Sequence, residues 1–381
     1  MSEHITGVGI IGCGTFVSAY MNTLGKIYQN VKVVGCSDLD VERAKAVAQE
    51  YGIPKAYSTE ELLADPEVEI ALIITPPGSH YSLGMAALKA GKHVYVEKPM
   101  AATFAQAAEL AKFAKEKGLY IACAPDTFLT PELQAVRRAL DEGKIGRVTA
   151  FTANVCWPGS NLWHPNADFL FKKGGGPMLD IGPYFLTALI SLLGPVEEVF
   201  AYSNRAWDVR RVHDHDCTVE VPTHFCGVLK FKSGAVGSVC FSNDIWKNSQ
   251  PAFELYGTEG VIYAPNPNTL RGPLKLMQAG PLMKDIDATE DRFQKMVLIY
   301  ANDPSMERYF TPLEPVGEAR GNQRGLGVSD LAAAIVEGRP PRVSADLCLH
   351  VTEAVMALDG SEGFALPHPM QTSCERPAPL G

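Results

Sequence analysis

Along the first third of the chain, short runs that are apolar at nearly every position alternate with segments whose apolar residues recur every three or four positions. The runs 7–11, 32–36, 70–75, 93–97 and 119–124 read as strands buried on both faces, as parallel strands covered by helices must be. Between them 41–51, 60–64, 79–90 and 104–117 carry helical spacing. Ser58-Thr59-Glu60-Glu61 and Thr103-Phe104-Ala105-Gln106 both fit a capping box, which fixes two helix starts locally. Such alternation predicts right-handed crossovers and a doubly wound parallel sheet.

Beyond about residue 126 the pattern changes. A helix over 131–142 leads into longer β-type segments at 147–155, 219–221, 226–231, 236–242 and 252–256, with Ser233-Gly234 as a hairpin turn. Residues 271–325 lack periodicity and are rich in Pro and Gly, so long loops are expected there. Helical spacing returns at 328–337 and 346–358. The fold class is α/β: a doubly wound parallel sheet over 1–125, then an α+β domain with a mostly antiparallel, open-faced sheet over 126–345, and a C-terminal helix and tail over 346–381. There is no internal repeat.

A chain of 381 residues is too long for one ordinary core, which agrees with two domains. Its net charge of -9, without blocks of like charge, argues against a nucleic-acid or anionic-membrane surface. No apolar run approaches the ~20 residues that span a bilayer, and the N-terminus resembles no signal peptide. Nine scattered cysteines without a Cys-x-x-Cys pair read as free thiols, so a cytoplasmic protein is expected.

Chemistry begins with Gly12-Cys13-Gly14-Thr15-Phe16, directly after the first strand and opening a helix. A tight turn, bare backbone and a helix N-terminus together hold a pyrophosphate, the arrangement of a Rossmann domain. The third position of the usual fingerprint is Val17, so the motif is incomplete. Asp38 closes the second strand 24 residues after Gly14, where an acid binds a ribose diol and disfavours a 2′-phosphate. NAD is the expected cofactor.

The fourth long strand ends on Glu97-Lys98-Pro99, two opposite charges ahead of a proline. Together with Thr75-Pro76-Pro77, His80, Gly91-Lys92-His93 and the later block "GGGPMLDIGPYFLTALISLLG", this order and spacing resembles the glucose–fructose oxidoreductase, inositol dehydrogenase and rhizopine catabolism (Gfo/Idh/MocA) family. Gly338-Arg339-Pro340 extends the likeness to most of the chain. The resemblance implies an NAD(P)-dependent dehydrogenase acting on a secondary alcohol, with Lys98 beside the nicotinamide as acid/base and a cis Lys98–Pro99 bond. It also implies a homo-oligomer that buries the open face of the second sheet. Thr75, Pro76, His80 and Glu97 are then expected along the cofactor, with His80 lining it rather than doing chemistry.

Asp180 and Tyr184 stand four residues apart on one helical face, behind Gly174-Gly175-Gly176, which would let backbone approach a ligand. Met178, Ile181, Phe185, Leu189 and Leu192 form the packed stripe. Tyr184 replaces the His commonest in the family; Tyr is used in branches like glucose–fructose oxidoreductase and the dimeric dihydrodiol dehydrogenases. Since a phenol titrates near ~10, Lys98 is expected as the main acid/base, Tyr184 as assisting donor, and Asp180 as orienter of Lys98 and substrate.

Trp157, Trp163 and His164 read either as a sugar platform or as edge packing. "HDHDC" (213–217) invites a metal, but adjacent residues of an extended segment point to alternating sides, so a solvated loop is expected and no metal. His224 reads as able to face the substrate, undecided. The functional expectation is oxidation of a secondary ring hydroxyl of a sugar or glycoside, with C3 of a glucosyl unit as one outcome. A trans-dihydrodiol or cyclitol dehydrogenase, an NAD-assisted glycosidase and a non-catalytic sugar sensor are the alternatives.

Overall fold

A computed structural model describes residues 4–164, 167–318 and 324–380. The first unit is built on six strands, β1 (Thr6–Ile11), β2 (Val31–Ser37), β3 (Ala56–Tyr57), β4 (Ile70–Ile73), β5 (His93–Val96) and β6 (Ile121–Cys123), in the order β3-β2-β1-β4-β5-β6. All five pairings are parallel. The order reverses between β1 and β4, and the crevice beyond the strand ends at that reversal is where open α/β sheets take ligands. Helices α1 (Val17–Met21), α2 (Val41–Tyr51), α3 (Thr59–Ala64), α4 (His80–Lys89) and α5 (Phe104–Lys117) make the crossovers. Ser58 and Glu61 form the anticipated reciprocal capping box. At Thr103 only half of it forms: the Thr103 side chain accepts from the Gln106 N–H, while Gln106 Oε1 is buried without a partner.

After α6 (Pro131–Asp141) the chain builds a mixed nine-stranded sheet. Its strands are β7 (Val148–Cys156), β8 (Val196–Asn204), β11 (His224–Phe231), β12 (Val236–Ser242), β13 (Phe253–Gly257), β14 (Gly260–Tyr263), β15 (Lys275–Gln278), β16 (Phe310–Pro312) and β17 (His368–Pro369); β9 (Val209–Val212) and β10 (His215–Thr218) form a separate hairpin. Only β7–β12 is parallel. One face packs on α7 (Pro177–Leu193), where Phe185 meets Phe241 and Phe253 at ring-centroid distances of 5.3 and 5.9 Å. Apolar residues surround α7 on all sides, so the expected stripe is one part of a helix buried all round. The other face is open: along β11, buried Phe225, Gly227, Leu229 and Phe231 alternate with exposed Cys226, Val228 and Lys230.

The segment 271–325 departs from the loop expectation. It contains β15, β16 and two helices, α8 (Ala279–Asp287) and α9 (Arg292–Tyr300). Pro and Gly cut its pattern into pieces too short to show a period, and β15 is stabilised by pairing onto β14 and β16 by pairing onto β15, which no local signal carries. The expected strand at 219–221 is irregular; strand structure falls just before it, in β9–β10, so "HDHDC" is a hairpin turn followed by a strand rather than a loop. There His215 is taken up by Asp168 at 2.9 Å and Asp214 at 3.2 Å. β8 was not anticipated because Glu197-Glu198 interrupts its apolar run.

Helices α10 (Leu326–Glu337) and α11 (Ala345–Asp359) tie the two units together. Thr23 Oγ1 donates to the Arg324 carbonyl at 2.6 Å, and Asn30 Nδ2 to the Ser329 carbonyl at 2.9 Å. α11 packs against α5 and β6 of the first unit and α7 and β8 of the second. Among the described residues no helix is long and apolar enough to cross a membrane.

His350 of α11 carries a testable consequence. Its Nε2 accepts from the Val196 N–H at 2.9 Å, so Nδ1 carries the proton and meets Thr372 Oγ1 at 2.9 Å. Burial pushes this imidazole down from its ordinary 6.5 to about 4, against the pull of Glu353. An unfolded chain therefore takes up this proton first as pH falls, and stability present above pH 6.5 is lost towards pH 4. The full effect is bounded by about 3 kcal/mol. Urea midpoints measured from pH 7 to 4.5 should fall, and less steeply in His350→Gln; equal slopes would contradict the assignment.

Candidate active site

The crevice at the sheet's reversal point is walled by four strand ends. At the end of β1, Gly12 has φ +105°, and a Cβ there would meet Thr75 Cγ2 at 2.9 Å and the Ile74 carbonyl carbon at 3.0 Å, so only glycine fits against the loop after β4. A Cβ on Gly14 meets nothing within 4 Å: space is open over this turn. Thr15 and Phe16 follow, exposed, ahead of α1, whose Val17 N–H donates to the Gly14 carbonyl at 3.1 Å and whose start has no side-chain cap. Asp38, at the end of β2, accepts from the Cys13 N–H at 2.8 Å and the Asp40 N–H at 2.9 Å. Its carboxylate is thereby fixed beside the glycine turn and keeps acceptor capacity for a hydroxyl pair. Glycine turn, open space and fixed acid fit a dinucleotide with a free ribose diol, so Gly12–Phe16 and Asp38 are the residues that would hold NAD.

The loops after β4 and β5 are locked by His80. Its Nδ1 lies 2.7 Å from the Pro99 carbonyl and its Nε2 2.8 Å from the Thr75 carbonyl, and the ring is fully buried. Burial, opposed by these two carbonyls, lowers its pKa, and the neutral ring donates to one carbonyl while packing against the other, bracing both loops. Ser79 Oγ ties down Thr75 Oγ1 at 2.7 Å and the Pro76 carbonyl at 2.8 Å.

Glu97 and Lys98 do not pair with each other. Glu97 is buried; its Oε1 accepts from the Tyr20 hydroxyl at 2.7 Å and its Oε2 from the Lys98 backbone N–H at 3.1 Å. Burial, then the Glu97 charge, holds the Tyr20 phenol protonated. The Lys98–Pro99 bond is cis. Lys98 Nζ instead reaches α7, donating to Asp180 Oδ1 at 2.7 Å and to the Asp180 carbonyl at 2.9 Å, and it sits 5.6 Å from the centroid of the Tyr184 ring. Burial would push the ammonium's pKa down; Asp180, Tyr184 and Glu97 outweigh it and hold Lys98 above its ordinary value. Lys98, Asp180 and Tyr184 thus meet as the sequence pattern suggested.

Arg324 completes the cluster and was not anticipated. Its Nη2 donates to the Tyr184 hydroxyl at 2.5 Å, its guanidinium lies 5.6 Å from the Phe16 ring centroid, and its Nη1 is buried without a partner. Asp126 fixes the loop that carries it, accepting from the Gly327 and Gly325 N–H groups at 2.7 and 3.2 Å. Burial pushes the Asp126 carboxyl up, with Arg324 opposing. Nothing local marks Arg324, because it lies in an aperiodic stretch and reaches the site through tertiary contacts alone.

Of the glycines before α7, two pack on protein backbone: a Cβ on Gly175 would meet the Phe169 carbonyl oxygen at 2.3 Å, and Gly176 N–H donates to the Leu170 carbonyl at 2.8 Å, while a Cβ on Gly174 would meet nothing within 4 Å. Trp163 is exposed and joins His164 and Phe169 in edge-on ring contacts of 5.5 Å. This group adjoins a shallow pocket lined by Leu162, Arg210, Arg211, His213 and Trp246, with His213 Nε2 on the His164 carbonyl at 2.7 Å. Trp157 stands apart, its indole nitrogen buried without a partner. His224 alternates with buried Phe225 and so points to the open face of the sheet, away from α7.

A crevice built for NAD, with a charged lysine held beside it by a carboxylate, is that of a dinucleotide-dependent dehydrogenase acting on CH–OH groups. Two family models agree: the Gfo/Idh/MocA oxidoreductase NAD-binding Rossmann fold matches residues 6–124 and the Gfo/Idh/MocA C-terminal domain matches 133–263. The chain belongs to this family. It is 30% identical over 288 residues to trans-1,2-dihydrobenzene-1,2-diol dehydrogenase of Mus musculus, covering 73% of this chain and 81% of that one. It is 31% identical over 267 residues to 1,5-anhydro-D-fructose reductase of Ensifer adhaerens, covering 68% and 75%. The crystal structure of an NAD-binding oxidoreductase from Klebsiella pneumoniae shares the fold, with a TM-score of 0.76 at 24% identity, covering 95% of this chain and 97% of that one.

Asp38→Ala should raise the Kd for NAD by on the order of tenfold and narrow the preference over NADP, as a charge-assisted contact to the ribose is lost. Cofactor titrations by NADH and NADPH fluorescence check this; an unchanged ratio would move the ribose contact elsewhere.

Proposed function

We propose that this chain is a sugar or glycoside dehydrogenase, oxidising a secondary ring hydroxyl to a ketone reversibly, with the C3 hydroxyl of a glucosyl unit as the first candidate. The observation that carries the reading is the 2.7 Å contact of Lys98 Nζ with Asp180 at the carboxyl end of β5. The relative named as an anhydrofructose reductase supports a carbohydrate substrate. Bound NAD supplies the hydride acceptor.

The chain's own residues handle the proton. Lys98 has three N–H donors and spends two on Asp180, leaving one for a carbinol oxygen. Asp180 fixes that ammonium in position and stabilises its charge. In ketone reduction Lys98 hands its proton to the substrate oxygen as hydride reaches the carbon. In alcohol oxidation the unprotonated amine takes the proton up. Tyr184, held by Arg324, donates a second hydrogen bond to the same oxygen or to a neighbouring hydroxyl. His80, Glu97 and Tyr20 keep the loops in register for these contacts.

A cyclic-diol dehydrogenase is the second reading, favoured by the mouse relative. Relative kcat/KM on a glucoside and on an aromatic trans-dihydrodiol separates the two. An NAD-assisted glycosidase would release aglycone without net NADH. A homo-oligomer is part of the proposal, because the open face of the second sheet exposes Tyr202, Val228 and Val236. Sedimentation should give a dimer or larger species; a monomer would contradict it.

Lys98→Ala should lower kcat by roughly 10²–10⁴-fold with NAD affinity little changed, and Tyr184→Phe should lose less. Because the Lys98 pKa is raised, the amine form is scarce at neutral pH. Oxidation rates should therefore climb with pH, approaching tenfold per unit from about pH 6 to 9, and this climb should vanish in Lys98→Ala. Near wild-type turnover in Lys98→Ala, or an unaltered pH profile, would refute the assignment.

A further inference from the structure

On the open face of the nine-stranded sheet, three metal-ligating side chains converge from two strands, with a further cysteine from a third strand beside one of them. Cys226 on β11 stands directly opposite Cys240 on β12 in the antiparallel register. His224 lies two residues before Cys226 on the same face, and Cys156 at the end of β7 pairs in register with Ser242, two residues beyond Cys240. The Cys226 and Cys240 sulfurs are 3.5 Å apart, Cys226 Sγ is 3.6 Å from His224 Nε2, and Cys156 Sγ is 3.6 Å from Cys240 Sγ. The atoms of His224, Cys226 and Cys240 all lie within 4.8 Å of one another.

We propose that His224, Cys226 and Cys240 form a three-ligand binding site for a thiophilic divalent cation of the zinc class, with Cys156 beside Cys240 at its edge. Zinc takes sulfur at ~2.3 Å and imidazole nitrogen at ~2.0–2.1 Å, so tetrahedral geometry sets S···S edges near ~3.8 Å and S···N edges near ~3.6 Å. The observed 3.5 and 3.6 Å separations match that scale. They are far longer than the ~2.05 Å of a disulfide. In the single chain these residues are partly or fully accessible, so an ion can load before that face meets another subunit. Two thiols and an imidazole select a soft or borderline ion over magnesium or calcium.

The site lies across the sheet from α7 and touches none of Lys98, Asp180 or Tyr184. Its role is structural: an ion here staples β12 and β11 at the face expected to meet another subunit. No linear motif announces it. His224-x-Cys226 is two residues of one strand, and the third ligand lies 14 residues beyond Cys226. That is why metal-ligand spacing along the chain gave no sign of it.

The test uses the purified protein, fully reduced and freed of metal with a chelator, titrated anaerobically with Co²⁺ alone. One equivalent should produce the d–d absorption of a tetrahedral thiolate site together with sulfur-to-cobalt charge transfer, and Zn²⁺ should displace both. Cys226→Ser combined with Cys240→Ser should abolish the bands, and His224→Ala should weaken Co²⁺ binding at least about tenfold. Turnover and far-UV circular dichroism should be unchanged in these variants, which separates metal loss from misfolding. Absence of thiolate bands at stoichiometric Co²⁺, or equal uptake by the double variant, would overturn the site.

Discussion

The ion pair between Lys98 and Asp180 is the interaction on which the arrangement of this molecule depends. It joins the loop just after β5 in the nucleotide unit to the first turn of α7 in the other, at 2.7 Å. A lysine ammonium taken out of bulk water keeps its charge only where a carboxylate compensates it, and Asp180 supplies that compensation. Because the partners lie in different domains, the pair sets the distance between the cofactor crevice and the helix that presents Tyr184.

Around this pair, buried polar contacts fix the loops that carry it. His80 clamps the turns after β4 and β5 to each other, Glu97 accepts from Tyr20, and Asp126 gathers the backbone that delivers Arg324. Each would be costly to bury unpaired, and each is paired. The result is two cations, Lys98 and Arg324, held 5.6 and 5.1 Å from the centroid of one phenol ring. Such preorganised charge suits stabilisation of a developing alkoxide.

Much of this was legible in the chain itself. Fully apolar runs gave the parallel strands, Ser58 and Glu61 a helix start, and Gly12, Gly14 and Asp38 the cofactor crevice, because these signals are local and each has one physical cause. Asp180 and Tyr184 were readable as one face of one helix. Arg324 and Asp126 were not, since their roles arise from contacts 140 and 199 residues apart in sequence. The same holds for β15 and β16, which owe their extended state to a neighbouring edge, and for the His224–Cys226–Cys240 cluster, which only the register of two strands assembles. Among the glycines before α7, Gly175 owes its close approach to protein backbone at Phe169 and Leu170, a partner that no sequence pattern names.

The central claim is that one ammonium group serves both the carboxylate of α7 and the reacting oxygen. A crystal structure of the ternary complex with NADH and a turned-over sugar or glycoside tests it most directly. Lys98 Nζ should lie within about 3 Å of the substrate's reacting oxygen while keeping its contact with Asp180. A reacting oxygen held by Tyr184 and Arg324 alone, with Lys98 Nζ beyond hydrogen-bonding reach, would contradict it.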